Sequence, residues 1–138
     1  MEGIILDCSL TKAWCFKDEH HSQSESVRLQ IEKGIRVAVP SIWTLEVINV
    51  LRIAEKRKRI TSDDTQRYCQ WLFFSLPIEI DSMVNQVTFH TLLSLMREYD
   101  LTAYDAAYIE LAQRRGWPLA TLDEKMKKAA RMLNILYE

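Results

Sequence analysis

Short runs rich in β-branched residues alternate along this chain with longer stretches of helical periodicity, and that alternation restricts the fold more than any other feature. Four runs have the length and apolar character of buried strands: residues 3–7 (GIILD), 35–39 (IRVAV), 78–81 (IEID) and 119–121 (LAT). A fifth candidate is 133–137 (LNILY). The segments between them carry helix-start chemistry. Ser41 is placed to cap a helix over 42–57, and Thr61 with Asp64 forms a capping box for a helix reaching about residue 75. Ser82 opens a segment with Val84, Val87, Leu92, Leu95, Met96 and Tyr99 at helical spacing, and Thr102 with Asp105 repeats the capping box ahead of 106–115. Gly34 and Gly116 each follow a helical pattern, where a helix-ending glycine belongs. Strands that alternate with helices imply an α/β fold, a three-layer α/β/α arrangement around a mostly parallel sheet of about four to five strands. In open sheets of this kind ligands bind outside the carboxyl ends of the strands, so the residues just after each strand carry the most functional information.

The 138 residues fit one domain over 1–138, with no repeat, low-complexity stretch or Pro/Gly-rich linker to divide them. A hydrophobic fraction of 48% beside 27% charged residues belongs to a folded chain and excludes intrinsic disorder. The net charge of −1 gives no global attraction to nucleic acid, so such a partner needs a local basic patch. The opening MEGIILDCSL has no basic region and carries an acid inside its apolar run, which fits neither a secretory leader nor a spanning helix. The expectation is a cytoplasmic protein without a membrane partner, its Cys8, Cys15 and Cys69 reduced. The lack of a Gly-rich phosphate loop argues against an NTPase or dinucleotide enzyme.

Most acids have ordinary surroundings. Glu25 and Arg28, Glu55 and Arg59, Asp64 and Arg67, Glu110 and Arg114, and Glu124 and Lys128 are spaced as solvated helix-surface pairs. Asp81 is accounted for by Ser82 and the helix behind it. Four other acids stand apart from these pairs. Asp7 ends an apolar strand, where a bare charge is expensive to bury, although it can also cap the next turn through Ser9 and Leu10. Glu46 has Ile42, Trp43, Asn49 and Val50 at helical spacing and sits among Leu45, Val47 and Ile48. Asp105 doubles as a capping-box acid, and Leu101, Tyr108 and Ile109 offer it no charge. Asp123 follows the last strand and is also placed to cap the helix it begins. Gathered at one rim, these four would repel strongly and take up protons unless a divalent cation removed the conflict. All-oxygen ligation suits Mg²⁺ or Mn²⁺ rather than zinc. The spacings of Cys8, Cys15, His20 and His21 fit no familiar structural zinc site.

The stretches that hold these acids are ILDCSLTKAWCFKDE, VPSIWTLEVINVL and LTAYDAAYIELAQRRGWPLATLDEKM, in that order, with YDAAYIELA followed by LATLD the most specific part. Through them nearly the whole chain resembles the PIN-domain family, particularly the toxin ribonucleases of VapBC-type toxin–antitoxin modules. Carried over position by position, that family's metal-binding acids fall on Asp7, Glu46, Asp105 and Asp123. Thr121 matches the small hydroxyl residue of the T-x-D element, and Ser9 the polar residue two places after the first acid. The resemblance implies a PIN-like fold and an endoribonuclease using Mg²⁺ or Mn²⁺, with one ion at Asp7, Asp105 and Asp123. Glu46 then serves a second ion or the attacking water. It also implies an RNA substrate, a cognate antitoxin protein as partner, and a homodimer. The family's middle region varies freely, and substrate choice would be written there.

RNA would have to be held against an acidic site. Lys56, Arg57, Lys58 and Arg59 form the densest basic cluster and are the candidate phosphate contacts, although cations also suit a helix C-terminus on their own account. Lys125, Lys127, Lys128 and Arg131 are secondary candidates. Trp14, Trp43, Trp71 and Trp117 are expected mostly in the core, while Trp71, Phe73 and Phe74 crowd one short segment that could also contact a subunit or antitoxin. Two other functions remain open. One is a phosphatase with Asp7 as nucleophile, a chemistry that usually wants a second acid two residues on, where this chain has Ser9. The other is a PIN-like module that binds RNA or protein without cutting; four acids argue against it, because they repel phosphate unless metal is present.

Overall fold

The GIIL run forms β1 (Gly3–Leu6), buried at every position as a strand covered on both faces must be. α1 (Cys8–Cys15), a 3₁₀ turn (Lys17–Glu19) and α2 (Ser22–Glu32) lead to β2 (Arg36–Pro40). α3 (Ile42–Lys56) and α4 (Ser62–Gln70) follow, and α4 runs on through a π-helical turn over Trp71–Ser75 before β3 (Ile78–Asp81). Then come α5 (Phe89–Tyr99), α6 (Ala103–Arg115), β4 (Leu119–Ala120) and α7 (Glu124–Met132). The computed structural model describes residues 2–82 and 88–138, so Val84 and Val87 of the helical segment expected from Ser82 lie outside the described residues.

Every pairing in the sheet is parallel and the strand order is β3-β2-β1-β4. Chain handedness explains the layers. From β1 to β3 the chain steps in one direction, with α1 to α4 as crossovers. It then returns to the far side of β1, and right-handed crossover puts α5 and α6 on the opposite face. α3 packs on β2, whereas α6 lies against β1, β2 and β4. The three-layer arrangement expected from the alternation is therefore what forms. The candidate fifth strand shrinks to one bridge, Leu119 with Leu136, made by Leu119 N–H to the Ile135 carbonyl at 2.7 Å and Tyr137 N–H to the Leu119 carbonyl at 2.9 Å. β4 is only two residues long, so there is little edge to extend.

The core lies on both sides of β1 and β2, with Ile4, Ile5, Val37 and Val39 packed against Leu10, Trp43, Leu51, Tyr108 and Ile109. α6 is buried continuously from Ala106 to Ala112, because alanines on it let the sheet approach and apolar residues occur all round it. Gly3 has a packing reason: a Cβ there would sit 2.4 Å from a ring carbon of Trp117, so the indole rests on bare backbone. Gly116 ends α6 at φ 67°, the left-handed conformation its position predicts.

Local expectations divide. The Thr61–Asp64 capping box forms in full. Ser41 does not cap α3 with its side chain: it already has helical backbone angles, and its N–H is taken by the Asp81 carbonyl at 3.1 Å. Of the solvated pairs, Glu25–Arg28 and Asp64–Arg67 form. Glu55 pairs with Arg52 instead of Arg59, and Glu124 with Lys127 instead of Lys128. Glu110–Arg114 forms but is not a surface pair, since Glu110 is 6% exposed. Arg114 also reaches Asp81, 9% exposed, at 3.0 Å, and Arg115 joins both Asp81 and Glu79. Glu79 and Asp81, two apart on β3, share a face of the sheet. Asp81 thus has arginine partners that its local sequence did not announce. Among the described residues, no helix is long and apolar enough to cross a membrane.

Candidate active site

β1 and β4 are neighbours at the point where the strand order turns back, and the crevice at their carboxyl ends is where such sheets hold ligands. Asp7 stands just past β1, and Thr121 and Asp123 just past β4. Asp7 is 3% exposed. Its Oδ1 accepts the Ser9 hydroxyl at 2.6 Å and the Leu10 N–H at 3.1 Å, and its Oδ2 accepts the Thr121 hydroxyl at 2.5 Å. The two hydroxyls are themselves tied to the β4 side. Ser9 Oγ accepts Leu122 N–H at 2.8 Å and Thr121 Oγ1 accepts Asp123 N–H at 3.1 Å. The capping role open to Asp7 is real, yet it does not explain the burial. Burial pushes the carboxyl up to about 6, against the pull of Ser9, Thr121 and Leu10, and Asp123 adds repulsion.

Asp123 is exposed and caps α7, its Oδ1 accepting Met126 N–H at 2.9 Å. Asp105 opens α6. Only half of the expected capping box forms there: the Thr102 hydroxyl accepts Asp105 N–H at 3.1 Å, but the return bond to the Thr102 amide, seen at Thr61, is missing. Burial raises the Asp105 carboxyl, repulsion from Asp123 raises it further, and the Thr102 hydroxyl and Lys125 offset part of this. Glu46 projects from α3. Burial raises it, the Tyr108 hydroxyl eases it, and Asp105 raises it again. Repulsion therefore runs from Asp7 to Asp123 to Asp105 to Glu46. Among the described residues none of the four forms an ion pair with a lysine or arginine.

Sequence reasoning missed two buried polar residues here. Tyr108 appeared only as a neighbour without charge, yet its hydroxyl donates to Glu46 Oε1 at 2.5 Å. The available signal was its position three after Asp105, on the same face of α6. Thr11 was overlooked altogether. Its hydroxyl donates to the Asp7 carbonyl at 2.9 Å and accepts Trp43 Nε1–H at 3.0 Å, which ties α3 to the first turn after β1.

The donor set is all oxygen and uncompensated, which fits a hard divalent cation. The acids meet in pairs rather than as a closed cage: among the described residues no three carboxylate, imidazole or thiol groups are placed to hold one ion as they stand. The basic candidates lie farther off. Lys56 closes α3 ten residues after Glu46, about 15 Å along the helix at ~1.5 Å per residue. Lys56, Arg57 and Lys58 are exposed, but Arg59 is held by Asp18 and Glu19 and lies over the Phe16 ring at 4.3 Å. Of the aromatics, Trp43 and Trp117 are buried, Trp14, Trp71 and Phe73 pack partly against the core, and Phe74 stands out at 77% exposure.

Fold and rim together define an open parallel α/β protein with an acidic site at the turning point of its sheet. Residues 4–132 match the family model of the PIN domain, and the chain belongs to that family. Among solved structures it is similar to PAE2754 from Pyrobaculum aerophilum, at 20% identity and a TM-score of 0.69 over 92% of this chain and 78% of that one. It is also similar to the sarcin–ricin-loop-cleaving toxin VapC20 of Mycobacterium tuberculosis, at 14% identity and a TM-score of 0.66 over 92% and 95%. A toxin–antitoxin complex from Klebsiella pneumoniae aligns at 19% identity and a TM-score of 0.57 over 88% and 87%. Comparison with curated protein sequences finds no match.

Proposed function

We propose that this chain is a metal-dependent endoribonuclease that hydrolyses RNA phosphodiester bonds, acting in the cytoplasm as the toxin of a toxin–antitoxin pair. The observation that carries the chemistry is the unbroken repulsion from Asp7 through Asp123 and Asp105 to Glu46, with no lysine or arginine bonded to any of them among the described residues. Such an arrangement costs stability, and a bound divalent cation would offset that cost. Asp7, Asp105 and Asp123 would hold Mg²⁺ or Mn²⁺, and Mg²⁺ commonly uses one or two carboxylates with waters, so a closed protein cage is not required. When bound, the ion lowers the pKa of a water and neutralises charge growing on the phosphate. The chain's own part is orientation. Ser9 and Thr121 fix both oxygens of Asp7, and Glu46 presents a carboxylate that can take a second ion or align the attacking water. Lys56, Arg57 and Lys58 would hold the RNA backbone, leaving Arg59 to its acids. The toxin role, with a cognate antitoxin and a homodimer, draws on the likeness to the two toxin structures.

The aspartyl phosphatase fits poorly, since Asp7 is buried with both oxygens occupied and Ser9 is spent on holding it. The non-cleaving module draws on one observation, the lack of a ready-made three-ligand group. One assay separates the two readings. After EDTA treatment, RNA cleavage should return with Mg²⁺ or Mn²⁺ and fall on the order of 10³-fold in Asp7→Asn and Asp105→Asn, because the ion's share of charge stabilisation is several kcal/mol. Equal cleavage by the variants overturns the proposal. Growth arrest on expression, relieved by a co-expressed antitoxin, tests the biological role.

A further inference from the structure

We infer that Tyr108 is a positioning residue for the reaction, holding Glu46 so that one of its oxygens faces the rim. This rests on the nuclease reading above. Tyr108 lies deep in α6 at 1% exposure, and a buried phenol must find a partner for its hydroxyl. It finds one across the molecule: the hydroxyl donates to Glu46 Oε1 at 2.5 Å, joining α6 to α3 between residues 62 apart. Glu46 otherwise sits in an open groove with Ile42, Leu45, Asn49 and Tyr104, none of which bears charge. A glutamate has three side-chain torsions to settle, and nothing else described in that groove settles them. The hydroxyl fixes Oε1 and leaves Oε2 for a cation or a water. Asp105 and Tyr108 are three apart on α6, so one helical turn presents one acid directly and fixes the other through the phenol. α3 is steadied from behind as well, because Trp43, three residues before Glu46, is tied through Thr11 to the Asp7 carbonyl. These two links set α3 against Asp7 on one side and against α6, which carries Asp105, on the other. A carboxylate arranged in advance loses less freedom when it takes its ligand, and removing a group that orients a metal-site residue commonly costs about 10- to 100-fold in affinity or activity.

A core role alone would need the ring but not the hydroxyl, and Tyr108→Phe separates the two. The full chain is compared as wild type, Tyr108→Phe, Glu46→Gln and the double variant. Mn²⁺ affinity is measured by electron paramagnetic resonance, kcat and KM on RNA, and Tm in EDTA. The expected result is a loss of about tenfold or more in Mn²⁺ affinity or kcat for Tyr108→Phe, with KM for RNA changed less than about twofold. On the Glu46→Gln background the same substitution should change these values less than about twofold, since residues acting as a unit are not additive. An undiminished loss on that background, or wild-type behaviour of Tyr108→Phe, overturns the inference. Should Tyr108→Phe fold badly, 3-fluorotyrosine at position 108 gives a second readout. Its fluorine resonance is expected to move on Mg²⁺ titration in the Glu46 protein and to stay still in Glu46→Gln, and an identical response in both overturns the assignment. If wild type binds no Mn²⁺ and Glu46→Gln matches it throughout, the nuclease reading falls together with this one. If Glu46→Gln is impaired while Tyr108→Phe is silent, only the role of Tyr108 falls.

Discussion

Two groups of acids in this molecule have opposite fates. On the β3 side, Glu79, Asp81 and Glu110 meet Arg36, Arg114 and Arg115, with Arg36 clasping Glu79 at 2.8 and 2.9 Å. Around the ends of β1 and β4, Asp7, Glu46, Asp105 and Asp123 meet hydroxyls, amides and one another. Asp7 and Asp81 both come at the ends of parallel strands and both are buried. What separates them is the partner. The Arg36 guanidinium holds Glu79 below the usual carboxylate range, and the Glu110 carboxylate holds Arg114 above the usual guanidinium range. At the rim burial and repulsion push Asp7, Asp105 and Glu46 upward. A buried acid therefore marks structure where the fold supplies its cation, and marks a site where it does not.

The largest test of this contrast is Arg114→Leu. Glu110 and Asp81 would keep their burial and lose a shared guanidinium, and breaking a buried pair from one side costs on the order of 3 kcal/mol. Urea unfolding should show that loss equally with and without Mg²⁺, while cleavage per folded molecule stays close to wild type. A stability unchanged by the substitution would mean that this cluster is as uncompensated as the rim, and the contrast would fail.

The opposite sign is expected for Asp7. Its folded pKa of about 6 lies above the ordinary 3.8, so the folded protein binds the proton more tightly than the unfolded chain. Asp7 then contributes stability that is full below about pH 4 and is lost as pH rises through about 6. Asp7→Asn removes that loss. In EDTA the variant should be more stable than wild type by about 2 kcal/mol at pH 8, less than the full shift because an amide fits the two hydroxyls imperfectly. At pH 4 the advantage should vanish. Added Mg²⁺ should stabilise wild type and leave the variant unmoved. Calorimetry over pH 4–8 decides, and a wild type that gains stability from pH 4 to 8 in EDTA, relative to the variant, contradicts the burial of a bare carboxylate.

The same distinction decides what could be read in advance. The layers and the parallel sheet were legible because each strand run is short and each intervening segment is periodic, and both are local properties. Asp7, Glu46 and Asp105 stood out because no lysine or arginine lies three or four residues away, and Asp123 because it directly follows a strand; these too are local properties. The ion pairs of Asp81 were not legible, since Arg114 is 33 residues away and meets it only through packing of α6. Glu110–Arg114 had the right spacing but the wrong environment, because sequence spacing does not say which face of a helix the sheet will cover. Thr11 and Tyr108 carry no charge, and their hydroxyls declare themselves only when α3 and α6 are in place. Ser41 does not cap α3 because its backbone, bonded to the Asp81 carbonyl, is already helical, whereas a capping side chain needs extended angles.

The smallest effect concerns cations rather than acids, and it carries the contrast to the far end of α3. Arg59 already has Asp18 and Glu19, whereas Lys56 and Lys58 are exposed with no ion pair among the described residues. A cation already held by carboxylates must give up those contacts before it neutralises a phosphate. Each phosphate contact on a single strand contributes about 0.7 to the slope of log affinity against log salt. Measured on the Asp7→Asn protein, so that RNA survives the titration, Lys56→Ala with Lys58→Ala should flatten that slope by about 1.4. Arg59→Ala should leave the slope alone and lower Tm slightly, because it breaks a surface network that also covers the Phe16 ring. Equal flattening by Arg59→Ala would show that pairing within the chain does not remove a cation from RNA binding, and the rule that separates the two acid groups would not extend to bases.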